Sequence, residues 1–138
     1  GYVYIVDFNV SFSSGSGLFI VLRASGSNDN SSNSRYRSIY TSGSGLVNEG
    51  GSSGDGEVNF PEGTTPTVDR MSGRIVFYNL ADADITRFHG ECYYNDSSYL
   101  LNMLVGQKDE ATAFDGIYFG TNSTPTATGT IKIRRLAL

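Results

Sequence analysis

The chain of 138 residues contains no tryptophan, one cysteine and one histidine, and each scarcity excludes a class of structure or chemistry. The single cysteine, Cys92, excludes an internal disulfide framework. No apolar run approaches the roughly 20 residues that a membrane-spanning helix needs, so we expect no membrane partner. Stability must therefore come from packing of the chain itself or from association with other copies.

Charged residues are also sparse, at 17% of the chain, and acidic residues outnumber basic ones to give a formal net charge of −4. A nucleic-acid partner is not expected, because nucleic-acid binding needs clustered lysine and arginine. Three basic residues do lie close together, at Lys132, Arg134 and Arg135. We interpret them as guard residues of an edge strand or as an interface patch.

Glycine, tyrosine and phenylalanine are abundant, with 17, 9 and 8 residues. This composition is typical of aromatic-rich β-strands joined by tight turns. A length of 138 residues suits one domain, so residues 1–138 are predicted to form a single β-sandwich domain. Because the sequence opens at Gly1 and not at methionine, we expect a processed chain or the C-terminal part of a longer one.

Alternation of apolar and polar residues predicts strands along most of the chain. In the first strand every second residue is apolar: Tyr2, Tyr4, Val6, Phe8, Val10 and Phe12. We predict that these residues lie against the opposite sheet. Further strands are predicted at 18–23, 35–41, 57–60, 73–80, 85–94 and 99–105, with two closing strands within 114–138. Segments 24–34 and 42–56, rich in serine, asparagine and glycine, are predicted to be long exposed loops.

About eight to nine strands, without the helical segments of βαβ units, predict an all-β fold with an antiparallel β-sandwich. A jelly-roll-like arrangement of two sheets is the favoured closure for this number of strands. A seven-stranded immunoglobulin-like sandwich is the alternative, although the sequence lacks its Cys…Trp…Cys core.

His89 and Cys92 are the side chains that catalysis would most readily use. A serine-nucleophile site needs a base, an orienting carboxylate and a nucleophile together. His89 is instead predicted to lie half-exposed on a charged strand face, between Arg87 and Glu91. Cys92 is predicted to be a buried structural thiol on an apolar strand face. We therefore predict no catalytic residue.

Neighbouring carboxylates occur at three places and are candidates for a glycosidase or a calcium site. The pairs are Asp82 with Asp84, Asp109 with Glu110, and Asp55 with Glu57. All three fall in predicted turns, where aspartate is favoured because it accepts hydrogen bonds from the nearby backbone, so we expect no metal and no cofactor. Tyrosines on which a sugar would stack are Tyr36, Tyr40, Tyr93, Tyr94 and Tyr99, but most of these rings are predicted to be core.

Three segments of the sequence resemble a C-terminal domain found in bacteriophage virion proteins. They are the opening YIVDFNV…LFIVLRAS, the middle SGRIVFYNL…TRFHGECYY and the tail FDGIYFG…TGTIKIRRLAL. The family pattern (I/F)DGI-x-(I/F) is matched by Phe114, Asp115, Gly116, Ile117 and Phe119. The closing pattern TGTI-x-(I/L)-x-x-L is matched by Gly129, Thr130, Ile131, Ile133 and Leu136.

The resemblance implies a non-enzymatic module on the virion surface, built as a β-sandwich and assembled as a homotrimer. The length of the chain favours a protein that decorates or stabilises the capsid, with the major capsid protein among its partners. The alternative is a tail fibre or spike module that binds a host surface glycan through the loops at 24–34 and 42–56. A hydrolase that uses one carboxylate pair is a third possibility. The long first strand and the basic final strand are the predicted self-association surfaces.

Overall fold

The structure is a computed structural model. It describes residues 1–13, 18–29, 34–42, 45–53, 57–60, 70–95, 99–121 and 126–138. These residues form eleven β-strands, and no helix occurs among them. The strands are β1 (Tyr2–Phe12), β2 (Leu18–Ala24), β3 (Ser27–Asn28), β4 (Ser34–Ser42), β5 (Gly45–Ser53), β6 (Val58–Phe60), β7 (Arg70–Tyr78), β8 (Arg87–Asn95), β9 (Tyr99–Lys108), β10 (Gly116–Thr121) and β11 (Ala127–Ala137). Apart from the short β3 and β6, nine strands remain, which agrees with the predicted number.

The strands form two sheets in which all pairs are antiparallel. The larger sheet has the order β11-β1-β7-β8-β9-β4-β5, and the smaller has the order β10-β2-β3, with β6 also paired to β2. Buried residues of the two sheets form one core, so the predicted antiparallel β-sandwich is confirmed. The arrangement is jelly-roll-like in that the chain crosses repeatedly between the two sheets, six times from β1 to β11. It differs from the seven-stranded immunoglobulin-like alternative.

The first strand lies inside the larger sheet, paired with β11 on one side and with β7 on the other. Its buried side chains Val6, Phe8, Val10 and Phe12 belong to the same core cluster as Leu18, Ile20 and Leu22 of the opposing β2. The predicted packing of this strand against the opposite sheet is confirmed for these four residues. Because both of its edges are already paired, β1 offers no open edge for self-association, contrary to the expectation.

β2 is the centre of the smaller sheet, with β10 on one side and with β6 and β3 sharing the other. Ser25 and Gly26 connect β2 to β3 and have φ angles of 53° and 76°. Positive φ at both central residues is the conformation of a type I′ hairpin turn. The segment 24–34 therefore begins with a hairpin where a loop was predicted; its residues 30–33 lie outside the described part of the chain.

The segment 42–56 contains β5, which corrects the prediction of a loop. β5 pairs with β4 along its whole length. A strand ladder depends on backbone hydrogen bonds, which residues rich in glycine and serine still make. The weak alternation of apolar side chains in this segment therefore concealed the strand. Residues 43–44 and 54–56 of the segment lie outside the described residues.

Three glycines on neighbouring strands lie on the core side of the larger sheet. Gly73, Gly90 and Gly106 form a diagonal across β7, β8 and β9, with a displacement of two residues at each step. A methyl group at Gly73 would lie 2.7 Å from Cζ of Phe8, and one at Gly106 would lie 2.5 Å from Cζ of Phe88. The missing side chains therefore make room for the rings of these two phenylalanines.

Candidate functional site

The outer face, defined as the side of the seven-stranded sheet that points away from the smaller sheet, carries exposed apolar and basic side chains. Alternation along each strand places on this face the side chains that do not enter the core. The strand register aligns Arg37, Val105, His89 and Val76 in one row across β4, β9, β8 and β7, and Ile39, Met103, Glu91 and Arg74 in the next. These eight residues line a groove of about 710 Å³.

The middle of the groove is apolar and open to solvent. Ile39, Met103 and Val105 are 42%, 51% and 59% exposed, and Tyr93 in an adjacent row is 56% exposed. Single exposed apolar residues are normal on a protein surface, whereas a group of them on one sheet face indicates contact with another molecule.

The outer face also carries most of the positive charge of the chain. Seven of the ten basic residues have exposed side chains on it: Arg35, Arg37, Arg70, Arg74, Arg87, Lys132 and Arg134. Two carboxylates, Asp7 and Glu91, share the face among the described side chains. Among the described side chains, seven positive and two negative groups leave a net charge of +5 on this face, in a chain whose net charge is −4. The charge is therefore strongly polarised, which the net value conceals.

Asp7 links three strands of the outer face. Nε of Arg74 on β7 donates a hydrogen bond to its carboxylate at 2.6 Å, and Nη2 of Arg134 on β11 donates another at 2.5 Å. The hydrogen bond from Arg74, helped by the one from Arg134, lowers the pKa of Asp7 against the opposing effect of desolvation. Asp7 thus balances two cations, whereas Arg37 and Arg87 have no carboxylate partner among the residues that the structure describes.

His89 lies exposed on the outer face, which confirms its predicted surface position. Its ring stacks on Tyr78, with the ring centroids 5.7 Å apart and an interplanar angle of 28°. The stacked pair extends the apolar surface of the groove between the surrounding arginines.

Cys92 is fully buried in the core, as predicted. Burial raises the pKa of its thiol far above the usual range, and a hydrogen bond with the backbone of Asn102 opposes only part of that shift. A thiol held in its neutral form packs as a small apolar group.

The tyrosines fall into two groups. Tyr36 and Tyr94 are 5% and 3% exposed and belong to the core, as predicted, whereas Tyr93 points out of the outer face. The side chains of Tyr40 and Tyr99 lie outside the described part of the structure. A ring available for stacking is therefore present at Tyr93.

Two of the predicted carboxylate pairs occupy turns, as expected. Asp84 accepts a hydrogen bond from the backbone N–H of Ile85 at 2.7 Å, and Asp109 forms an ion pair with Arg35. Asp55 of the third pair lies outside the described residues.

Backbone hydrogen bonds join these two turns into one end of the sandwich. The N–H of Phe114 donates to the carbonyl of Leu80 at 2.8 Å, and the N–H of Lys108 donates to the carbonyl of Thr86 at 2.9 Å. Six carboxylates collect at this end, named the acidic end: Asp29, Asp82, Asp84, Asp109, Glu110 and Asp115. The ammonium group of Lys108 is buried, 2.8 Å from Asp29 and 3.7 Å from Glu110. In the described parts of the chain, no group of three or more histidine, cysteine or acidic side chains is placed to hold a metal ion.

β11 forms an edge of the larger sheet and is exposed on both faces along its whole length. Ile131 and Ile133 point to the core side, but the smaller sheet does not cover them, and they are 39% and 54% exposed. Lys132 and Arg134 alternate with them on the outer face. The predicted edge strand with basic residues is therefore present.

Sequence reasoning did not identify the outer face as a site. Arg35 and Arg37 alternate with the buried Tyr36, and Arg87 and His89 alternate in the same way on another strand. This alternation is visible in the sequence, but the convergence of the two strands depends on the pairing of β4 with β9. A search for predicted strands with an arginine-rich polar side would have detected the signal.

Comparisons with protein-family models, with curated proteins and with solved structures found no match. Among the described residues there is no helix that is long and apolar enough to span a membrane.

Proposed function

We propose that this chain is a non-enzymatic structural protein of a bacteriophage virion, a surface module that decorates or stabilises the capsid. The observation that carries the proposal is the outer face, with its exposed apolar groove among arginines. The cores of protein interfaces are enriched in arginine, methionine and aromatic residues and depleted in lysine and acidic residues. The groove has that composition, since it contains Arg37, Arg74 and Met103 and a single carboxylate, Glu91.

The tail motifs support the β-sandwich that the resemblance to virion proteins implies, because the matched residues have roles in the sandwich itself. Phe114 is 2% exposed in the core, and Asp115 binds the turn between β2 and β3. Gly129 adopts a φ of 150° where β11 meets β1.

Further copies of the chain, as a homotrimer, and the major capsid protein are the proposed partners. The exposed β11 supports self-association, because an edge strand with uncovered apolar side chains is stabilised when another surface covers it. The proposed localisation is the virion surface.

A second candidate function is receptor binding in a tail fibre or spike, with a host surface glycan as ligand. The observation that favours it is the exposed Tyr93 together with the stacked Tyr78 and His89, since aromatic rings beside arginines suit a sugar that carries negative charge. In this candidate function the glycan binds to the outer face and not to the loops at 24–34 and 42–56 that the sequence predicted.

Immunogold electron microscopy of the source particle tests the proposal. An antiserum raised against the purified chain is expected to label the heads of intact virions, and the same antiserum pre-absorbed with the chain is the control. Label confined to the tail would replace the decoration role by receptor binding. Particles that carry no label above the control would contradict both candidates.

A further inference from the structure

Two surfaces of opposite charge lie on adjacent sides of this molecule. Among the described side chains, the outer face has seven exposed cations and two carboxylates. The acidic end has six carboxylates and two cations: Lys108, buried beside Asp29 and Glu110, and Arg23, which donates a hydrogen bond to Gly26 in the turn that Asp115 also contacts. The ion pair between Arg35 and Asp109 marks the border between the two surfaces. Each surface is therefore complementary in charge to the other surface of a second copy.

The acidic end carries most of its carboxylates on two turns that are hydrogen-bonded to each other. Exposed alanines, Ala81, Ala83, Ala111 and Ala113, separate the acidic residues along the two turns. The hydrogen bond from Phe114 to Leu80 holds one turn against the other. Small side chains leave the neighbouring carboxylates within reach of long arginine side chains from another molecule.

The outer face offers the matching chemistry. Arg37 and Arg87 have no carboxylate partner among the described residues, and a guanidinium group can bind a carboxylate through two parallel hydrogen bonds. Met103 and Val105 add exposed apolar area that excludes water from such contacts. The aliphatic centre of the groove fits a protein surface better than a single-stranded nucleic acid, which requires a series of exposed aromatic rings.

We propose that the outer face of one copy binds the acidic end of a second copy. The inference rests on the proposed function, in which the module assembles with copies of itself. The contact is head to tail, because the two participating surfaces differ. Each copy therefore binds one neighbour through its outer face and another through its acidic end. Head-to-tail contacts form a ring when the rotation between successive copies closes, and the homotrimer of the proposed function is the smallest such ring beyond a pair.

Charge reversal of one surface at a time tests this contact by analytical ultracentrifugation. The face variant is Arg37→Glu with Arg87→Glu, and the end variant is Ala83→Lys with Ala113→Lys, which adds positive charge without removing a capping carboxylate. The wild-type chain is expected to be oligomeric, and each variant alone is expected to be monomeric. An equal mixture is expected to form a one-to-one complex, because the intact end of the first variant meets the intact face of the second.

The controls separate charge from folding. Arg37→Lys with Arg87→Lys keeps the positive charge, and Ala83→Ser with Ala113→Ser keeps the neutral end, so both are expected to assemble. Circular dichroism and thermal unfolding establish that all variants fold. Assembly of the wild type is expected to weaken between about 0.1 M and about 1 M salt, as the Debye length falls from about 10 Å to about 3 Å.

A mixture of the two variants that stays monomeric would overturn the inference, as would a wild-type chain that is monomeric at low salt. If the chain never self-associates but its outer face binds heparin or a DNA oligonucleotide, the face binds a polyanion and not a second copy. If the antiserum labels virions but the mixture of variants stays monomeric, the contact is wrong and the proposed function is retained. If the particles are not labelled but the mixture assembles, the contact is retained and the proposed function is wrong.

Discussion

The carboxylate of Asp115 accepts a hydrogen bond from the backbone N–H of Gly26 at 3.1 Å, across 89 positions of the sequence. Gly26 belongs to the turn between β2 and β3, and Asp115 immediately precedes β10, the other neighbour of β2. A further backbone hydrogen bond, from the N–H of Asp115 to the carbonyl of Arg23, lies beside it at 2.8 Å. One aspartate therefore fixes both edges of β2 at the same end of the smaller sheet.

Replacement of Asp115 by alanine is expected to lower the free energy of unfolding by about 1 kcal/mol, because the contact is exposed and its donor can turn to water. Asp115→Asn is the matched control, since its amide oxygen still accepts the hydrogen bond from Gly26. Urea unfolding of the two variants measures the difference. Equal midpoints for alanine and asparagine would show that the hydrogen bond contributes nothing.

Gly129 is expected to tolerate no side chain. Its φ is 150°, and a methyl group there would collide with the carbonyl oxygen of Asn9 on β1. We expect Gly129→Ala to cost about 1–3 kcal/mol and to speed amide hydrogen exchange along β11. Gly116→Ala is the control, because its nearest neighbour would lie at an ordinary 3.5 Å. Similar exchange rates in the two variants would argue against this close approach.

The fold was predictable where side chains alternate strongly. β1 was visible in the sequence because six apolar residues recur at period two, and four of them proved to be core. β5 was not visible, because its glycines and serines pair through the backbone and leave no alternation to detect. Alternation of apolar and polar residues arises when one face of a strand is buried. A strand that is held mainly by backbone hydrogen bonds need not show this alternation.

The candidate site was less predictable than the fold. His89 was placed correctly on the polar side of its strand, but it shares the groove with Arg37 only because β9 lies between β4 and β8. Strand order is set by packing of the whole core, and local periodicity contains no information about it. Net charge was also misleading, because −4 for the chain conceals a basic outer face and an acidic end.

Phe8 provides a direct test of the core assignment. It is 3% exposed, and its ring fills the space over Gly73. Phe8→Ala is expected to lower the free energy of unfolding by about 3–5 kcal/mol, because the loss of the ring leaves a cavity between the sheets. Asn9→Ala, at the exposed neighbouring position, is expected to change it by less than about 0.5 kcal/mol. A Phe8 variant that unfolds at the wild-type urea concentration would place this strand face outside the core.

The ion pairs of Asp7 predict a defined pH dependence of stability. Contact with Arg74 and Arg134 lowers the pKa of Asp7 in the folded state below its ordinary value of 3.8. The resulting stabilisation is complete above that ordinary value and is lost as the pH falls through the lower folded-state pKa, where the carboxylate takes up a proton. The wild-type chain is therefore expected to melt at a higher temperature than Asp7→Asn at neutral pH.

The difference in melting temperature between the wild type and Asp7→Asn should stay constant at pH values above the ordinary pKa of 3.8 and shrink as the pH falls below it. Because all three side chains are partly exposed, salt at about 1 M should also reduce it at neutral pH. Asn9→Ser on the same strand face is the control, and its difference from the wild type should not depend on pH. If the Asp7→Asn difference persisted unchanged at low pH and high salt, side-chain packing and not charge would hold β1 to its two neighbours at this point.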